Sequence, residues 1–218
     1  MSDFWDDFED YPLKKEYDIC DFIEKIKKKI DDEFKKLDDQ YHPAILGEDN
    51  GNKLYSLIRE KEPEIVVETG VCNGFSSSVI LKALSENGKG KLYSIDMPEY
   101  IEPGEEPDGR TGAVVPSTKY SGWVVPDEFR SNWTHILGNT FYETPRLMER
   151  LSEIDIFIHD SDHSYEGMMF EFSIAWKHLK DGGLLMADNI DYSDAFSDFA
   201  DAKEKTKYRL GVMGVIIK

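Results

Sequence analysis

Two cysteines, Cys20 and Cys72, are all that this 218-residue chain contains. That number builds neither a disulfide framework nor a four-ligand zinc site. No apolar run approaches the ~20 residues needed to span a bilayer. The N-terminus is acidic and has no apolar stretch, so it does not read as a secretory signal. Basic side chains are outnumbered, 26 Lys and Arg against 44 Asp and Glu, giving a formal net charge of −18. Such a surface repels nucleic acid and anionic membrane, so neither is expected as a partner. No internal repeat is present. A cytoplasmic, reduced setting follows as the default expectation.

What is present suffices for a core: 40% of residues are hydrophobic and 32% charged. Acid is concentrated in residues 1–10, with five carboxylates, and in residues 102–108, with four. Both read as solvated surface. Over residues 21–41, Phe22, Ile23, Ile26, Ile30, Phe34, Leu37 and Tyr41 recur at helical spacing among charged neighbours. That predicts an amphipathic helix with one apolar stripe, for packing, for covering a site or for pairing with a second subunit. Pro43 and the GEDNGN stretch at 47–52 break the chain, and a short helix over 53–61 leads onward. Residues 1–61 are therefore read as a helical extension and residues 62–218 as the main domain.

From Glu64 onward, strands alternate with helices. Strands are expected at 65–68, 91–96, 135–138, 154–160, 184–188 and 214–218, and helices at 75–84, 144–151, 167–179 and 193–203. This alternation predicts a mostly parallel α/β sheet covered on both faces. In such sheets ligands bind beyond the carboxyl ends of the strands, near the switch in strand order. Residues 97–133 form a long Pro-, Gly- and acid-rich connection containing Tyr120, Trp123, Phe129 and Trp133. They are read as a substrate-side insertion.

The strand ends carry the chemistry. After the first strand, Gly70 and Gly74 allow a tight turn, and the following helix points its N-terminal amides at the same place. The spacing is not G-x-G-x-x-G, and the Gly-Lys-Ser/Thr of a P-loop is missing. Asp96, after the second strand, is placed to accept hydrogen bonds from two ribose hydroxyls. Asp160, after the fourth, and Asp188 with Asn189, after the fifth, would converge if those strands are neighbours. Three oxygen ligands of this kind suit Mg²⁺ or another hard cation, and are poor for zinc. His163, three residues beyond Asp160, is a candidate general base.

The ordered set VVETGVCNGFSS (66–77), SID (94–96), GWVVPDEFRSNW (122–133), IDIFIHDSDHSYEG (154–167) and GGLLMADN (182–189) resembles the class I S-adenosylmethionine-dependent methyltransferases. Within them it is similar to the metal-dependent O-methyltransferases, such as catechol O-methyltransferase. It resembles still more the branch that includes macrolide-sugar O-methyltransferases. The resemblance covers about residues 62–218. It implies a Rossmann-like fold with a mostly parallel, seven-stranded or slightly reduced sheet.

By the same resemblance, Glu68, Gly70, Asn73, Gly74 and Ser76 would surround the methionine part of S-adenosylmethionine. Asp96 would hold the ribose, and Gly138 with Asn139 would flank the adenine. Asp160, Asp188 and Asn189 would bind the metal, with Asp160 and His163 at the chemistry. Cys72 stands where the usual motif has glycine. The implied activity is metal-assisted methyl transfer to a hydroxyl of a small sugar-like or natural-product-like molecule. Two other readings remain: a non-catalytic cofactor-binding scaffold, and a dehydrogenase or nucleotide-sugar enzyme. Against the last stand the Gly70–Gly74 spacing and the lack of a suitably placed Tyr-x-x-x-Lys dyad.

Overall fold

A computed structural model describes residues 4–37, 43, 45–105 and 113–218. Tyr41, the last position of the predicted apolar stripe, and residues 106–108 of the second acidic run lie outside them. The elements follow in chain order: β1 (Glu9–Asp10), α1 (Cys20–Phe34), α2 (Glu48–Lys61), β2 (Ile65–Thr69), α3 (Phe75–Asn87) and β3 (Lys91–Asp96). Next come β4 (Glu99–Ile101), β5 (Val114–Pro116), β6 (Trp133–Leu137), α4 (Thr140–Leu151), β7 (Ile154–His159) and α5 (Tyr165–His178). The chain ends with β8 (Leu179–Ala187), α6 (Ala195–Ala202), β9 (Tyr208–Leu210) and β10 (Met213–Ile217).

The main sheet runs β1-β9-β10-β8-β7-β2-β3-β6. Only β10 is antiparallel to its neighbours, β8 and β9. The six strands placed in the sequence are there; β9, which was not foreseen, and the two-residue β1, which pairs parallel to it, bring the sheet to eight. The chain builds outward from β2 through β3 to β6, then returns to place β7 on the other side of β2. The switch in strand order therefore falls between β2 and β7.

Side-chain alternation along the central strands feeds two cores. Val66, Ile156, Ile158, Leu184 and Met186 face one layer, which also holds Ile23, Ile26 and Ile30 of α1, Leu54 and Ile58 of α2 and Val79 and Ile80 of α3. Val67, Phe157, Leu185 and Ala187 face the other, with Leu147 of α4, Phe172 of α5 and Phe196 of α6. Helices α1 and α2 thus share one continuous core with the helix that follows β2.

The periodic stripe overran the first helix. Helix α1 ends at Phe34, where Lys35 takes the C-cap position, instead of continuing toward Tyr41. Helix α4 begins at Thr140 behind an Asn139 cap and carries Pro145 inside it. Strand β8 begins five residues before the predicted Leu184, running through Gly182 and Gly183 with a register irregularity opposite Ile154 and Ile156.

Candidate active site

The strand ends around the switch point line a cleft of about 1120 Å³. Gly70 closes the β2 side. With φ at +84°, it brings its backbone so near β7 that an added Cβ would sit 1.7 Å from the Asp160 carbonyl oxygen. Only glycine tolerates both the backbone angle and the contact. Cys72 also adopts a left-handed conformation, φ 49°, at the position where the resembled motif has glycine. Ser76, in the first turn of α3, lines the same cleft.

Asp96 lines the cleft at the end of β3. Its Oδ1 accepts from the Val71 amide at 3.2 Å, and its Oδ2 from the Cys72 amide at 3.2 Å and from the Ser121 hydroxyl. Asn139 also reaches the cleft, with its side-chain oxygen accepting from the Phe141 amide at 2.9 Å to cap α4.

Four of the expected cofactor residues do not line the cleft; they lie behind its wall. Glu68 is fully buried, and its carboxylate accepts from Ser76 (2.5 Å), Ser77 (2.6 Å) and Ser94 (2.8 Å). Burial raises its pKa, and the three hydroxyls oppose that shift. It braces the turn from below. Asn73 accepts from Trp123 Nε1 at 2.8 Å and donates to the Val114 carbonyl at 3.2 Å. At Gly74 a Cβ would meet the Gly122 Cα at 2.8 Å, and at Gly138 one would meet Glu143 Cγ at 2.8 Å.

Asp160 and Asp188 follow directly on the paired residues His159 and Ala187, so they leave adjacent parallel strands side by side. Burial first, then the charge of Asp188, hold the Asp160 carboxyl well above the usual carboxylate range. Asp188 is raised as well, by burial and then by Asp191, against the Asn189 amide. Asn189 lies in the left-handed region, φ 50°. All three residues line the cleft. His163 Nε2 stands 3.8 Å from Asp160 Oδ1. Its Nδ1 is buried with no partner among the described residues, and burial pushes its pKa down to about 4.

Beneath Asp160 lies a buried network that the strand-end reading missed. Glu171 of α5 accepts from Thr69 Oγ1 at 2.6 Å and Ser161 Oγ at 2.8 Å, and pairs with His159 Nδ1 at 2.8 Å. His159 and Ser161 flank Asp160, so one carboxylate ties both of its neighbours to the end of β2. The contact with His159 is foremost among those that keep Glu171 ionised against the cost of burial.

The insertion between β3 and β6 divides its work. Met97, Pro98, Glu99, Ala113 and Val115 line the cleft. Gly122 and Val124 donate backbone hydrogen bonds to Cys72 (2.8 Å) and Asn73 (3.2 Å), docking the segment on the glycine turn. Ile45, Leu46, Phe141 and Tyr192 also reach the cleft. None of the four lies in a motif, so pattern reading had no signal for them.

Among the described residues, no three His, Cys, Asp or Glu side chains are grouped to hold a metal. The expected trio contains two such side chains, with the Asn189 amide as third. Two carboxylates whose ionisation burial opposes form a donor set that a hard cation would fit. Among the described residues no helix is long and apolar enough to cross a membrane.

Residues 67–190, more than half the chain, match the family model described as a methyltransferase domain, and the chain belongs to that family. It is a methyltransferase. No curated protein sequence matches it. Among solved structures, it is similar to a putative caffeoyl-CoA O-methyltransferase from Staphylococcus aureus (TM-score 0.64, 17% identity, covering 90% of this chain and 91% of that one). It is also similar to the methyltransferase PaMTH1 of Podospora anserina, solved with SAH bound (TM-score 0.60, 13% identity, 94% and 90% covered). A third is the O-methyltransferase TomG of Streptomyces achromogenes, involved in tomaymycin synthesis and solved with SAM (TM-score 0.53, 18% identity, 84% and 70% covered). At these identities the likeness establishes the shared fold.

Proposed function

We propose that the chain transfers a methyl group from S-adenosylmethionine to a hydroxyl of a small molecule, sugar-like or natural-product-like, with help from a divalent cation. The observation that carries this is the meeting of Gly70, Asp96, Asp160, Asp188 and His163 on one cleft at the strand switch of a methyltransferase-family fold. The likeness to a putative caffeoyl-CoA O-methyltransferase and to the O-methyltransferase TomG supports it, as do the SAH bound in PaMTH1 and the SAM bound in TomG.

On this reading, the turn at 70–76 and the first amides of α3 receive the amino-acid end of the methyl donor. Asp96 accepts from its ribose, and Asn139 borders its adenine. S-adenosylmethionine supplies an electrophilic sulfonium methyl. Asp160, Asp188 and Asn189 would hold Mg²⁺ or a similar ion, which lowers the pKa of an acceptor hydroxyl. His163 would take the hydroxyl proton on a ring nitrogen as the oxygen gains the methyl group that the donor's sulfonium would release. Holding the two reactants in line accounts for much of the acceleration.

Calorimetry with S-adenosylhomocysteine tests the donor site, and folded protein that does not bind it would sink the reading. A labelled-methyl assay over sugars and phenols, with and without chelator, tests the rest. Asp188→Ala is expected to abolish the metal-dependent turnover, and chelator-insensitive activity in the wild type would remove the cation from the scheme.

A further inference from the structure

Ser121 is 1% exposed and lies on the insertion, 25 residues from Asp96 in sequence, yet its hydroxyl donates to the Asp96 Oδ2. A hydroxyl has one proton. With that proton on Asp96, the Ser121 oxygen must accept from its other partner, His135 Nε2, at 3.1 Å. His135 therefore carries its proton on Nε2. Burial pushes its pKa down, which favours the neutral ring with its one N–H. The ring is held in place by stacking on Trp133, with centroids 4.7 Å apart and planes 9° from parallel. The result is a directional chain: His135 N–H to Ser121 oxygen, Ser121 O–H to Asp96.

The backbone amides of Val71 and Cys72 reach one oxygen each of the Asp96 carboxylate, and both belong to the same turn. Ser121 adds a third donor from a separate segment, which fixes the carboxylate plane. That segment is itself anchored by the Gly122–Cys72, Val124–Asn73 and Trp123–Asn73 hydrogen bonds. It is also tied to α1, where Glu33 receives Thr118 at 3.3 Å and Lys119 at 3.3 Å.

We infer that Ser121, set by His135, is a positioning residue of the donor site: it aims the Asp96 carboxylate at the ribose hydroxyls of the cofactor. The inference rests on the S-adenosylmethionine reading above and adds a residue pair to it. It also gives the insertion a role on the cofactor side of the cleft.

The test is calorimetric titration of the full chain with S-adenosylhomocysteine and with its 2′-deoxyribose analogue. Wild type is expected to prefer the ribose form by about tenfold or more, as a hydrogen bond to a charged acceptor provides. Ser121→Ala is expected to cut that preference to about threefold or less, and Ser121→Thr, which keeps the hydroxyl, to restore it. His135→Phe, which keeps the stacked ring but loses the donor, should fall between. Equal weakening for both probes, or an unchanged preference in Ser121→Ala, overturns the inference while leaving the cofactor reading intact. A wild type that binds both probes equally overturns it too, since Asp96 then does not read the ribose. A wild type that binds neither overturns the cofactor reading itself. Should Ser121→Ala fail to fold, Ser121→Thr against His135→Phe decides the same question.

Discussion

Gly70 and Asp160 meet backbone to backbone: a methyl group on the glycine would lie 1.7 Å from the aspartate carbonyl oxygen and 2.4 Å from its carbon. This contact joins β2 to β7 where the chain reverses its direction of growth. Gly70→Ala must push the two strand ends apart in addition to straining φ. The expected cost is about 3 kcal/mol or more by urea denaturation, with loss of cofactor binding. A variant as stable as the wild type would show that the strand ends part freely.

Glu171 is a buried carboxylate whose partners are also buried or half-buried. Glu171→Ala strands His159 Nδ1, Thr69 Oγ1 and Ser161 Oγ without an acceptor. A loss of about 3–5 kcal/mol is expected, against ~1 kcal/mol for Thr69→Val, which removes a single hydrogen bond. Equilibrium unfolding of the two variants compares them directly. Similar losses would mean that the network does not act as a unit.

Asp160 and Asp188 oppose each other in the ligand-free protein. Asp160→Asn removes the ionisable group and keeps the shape. About a third of the Asp160 side chain is exposed, so solvent screens part of the repulsion. A gain of ~1 kcal/mol is expected, seen as a thermal midpoint raised by about 2–4 °C. Millimolar Mg²⁺ should then raise the midpoint of the wild type more than that of the variant, because binding to the folded state alone stabilises it. A variant that responds to Mg²⁺ as the wild type does would place the ion elsewhere.

Ile30 of α1 is fully buried in the core shared with α2 and α3. Ile30→Ala should cost about 2–5 kcal/mol of global stability, with a single cooperative transition. If α1 instead opens independently as a cover over the site, hydrogen exchange in α1 would run far ahead of exchange in α3, and the global midpoint would barely move.

The sheet was legible because its central strands are short β-branched runs: Ile65–Val67, Ile154–Ile158 and Val215–Ile217 have few alternatives. The strand-switch rule then pointed to Asp96, Asp160 and Asp188 without any contact information. The element edges were less legible. The helix expected from residue 144 begins at Thr140, behind the Asn139 cap. The strand expected from residue 184 begins at Leu179 and runs through Gly182 and Gly183. Glu68 was read as a ligand contact from its place in the motif. Three serines from two different elements hold it inward, a fact of packing that spacing along one strand does not carry. Ser121 and His135 lie 14 residues apart and act on an aspartate farther off, and no periodicity links the three.

The two residues of β1 have a consequence for how molecules of this protein behave toward one another. Glu9 and Tyr11 donate backbone hydrogen bonds to Lys207 and Arg209, occupying acceptors that β9 would otherwise present to solvent. Phe8 packs over Phe196 behind them, while Glu9 and Asp10 stay exposed. A free strand edge is a template for another chain, and this one is capped by a short, doubly charged segment. The acidic β1 segment therefore discourages association between copies at this edge of the sheet, in addition to the repulsion that the net charge supplies.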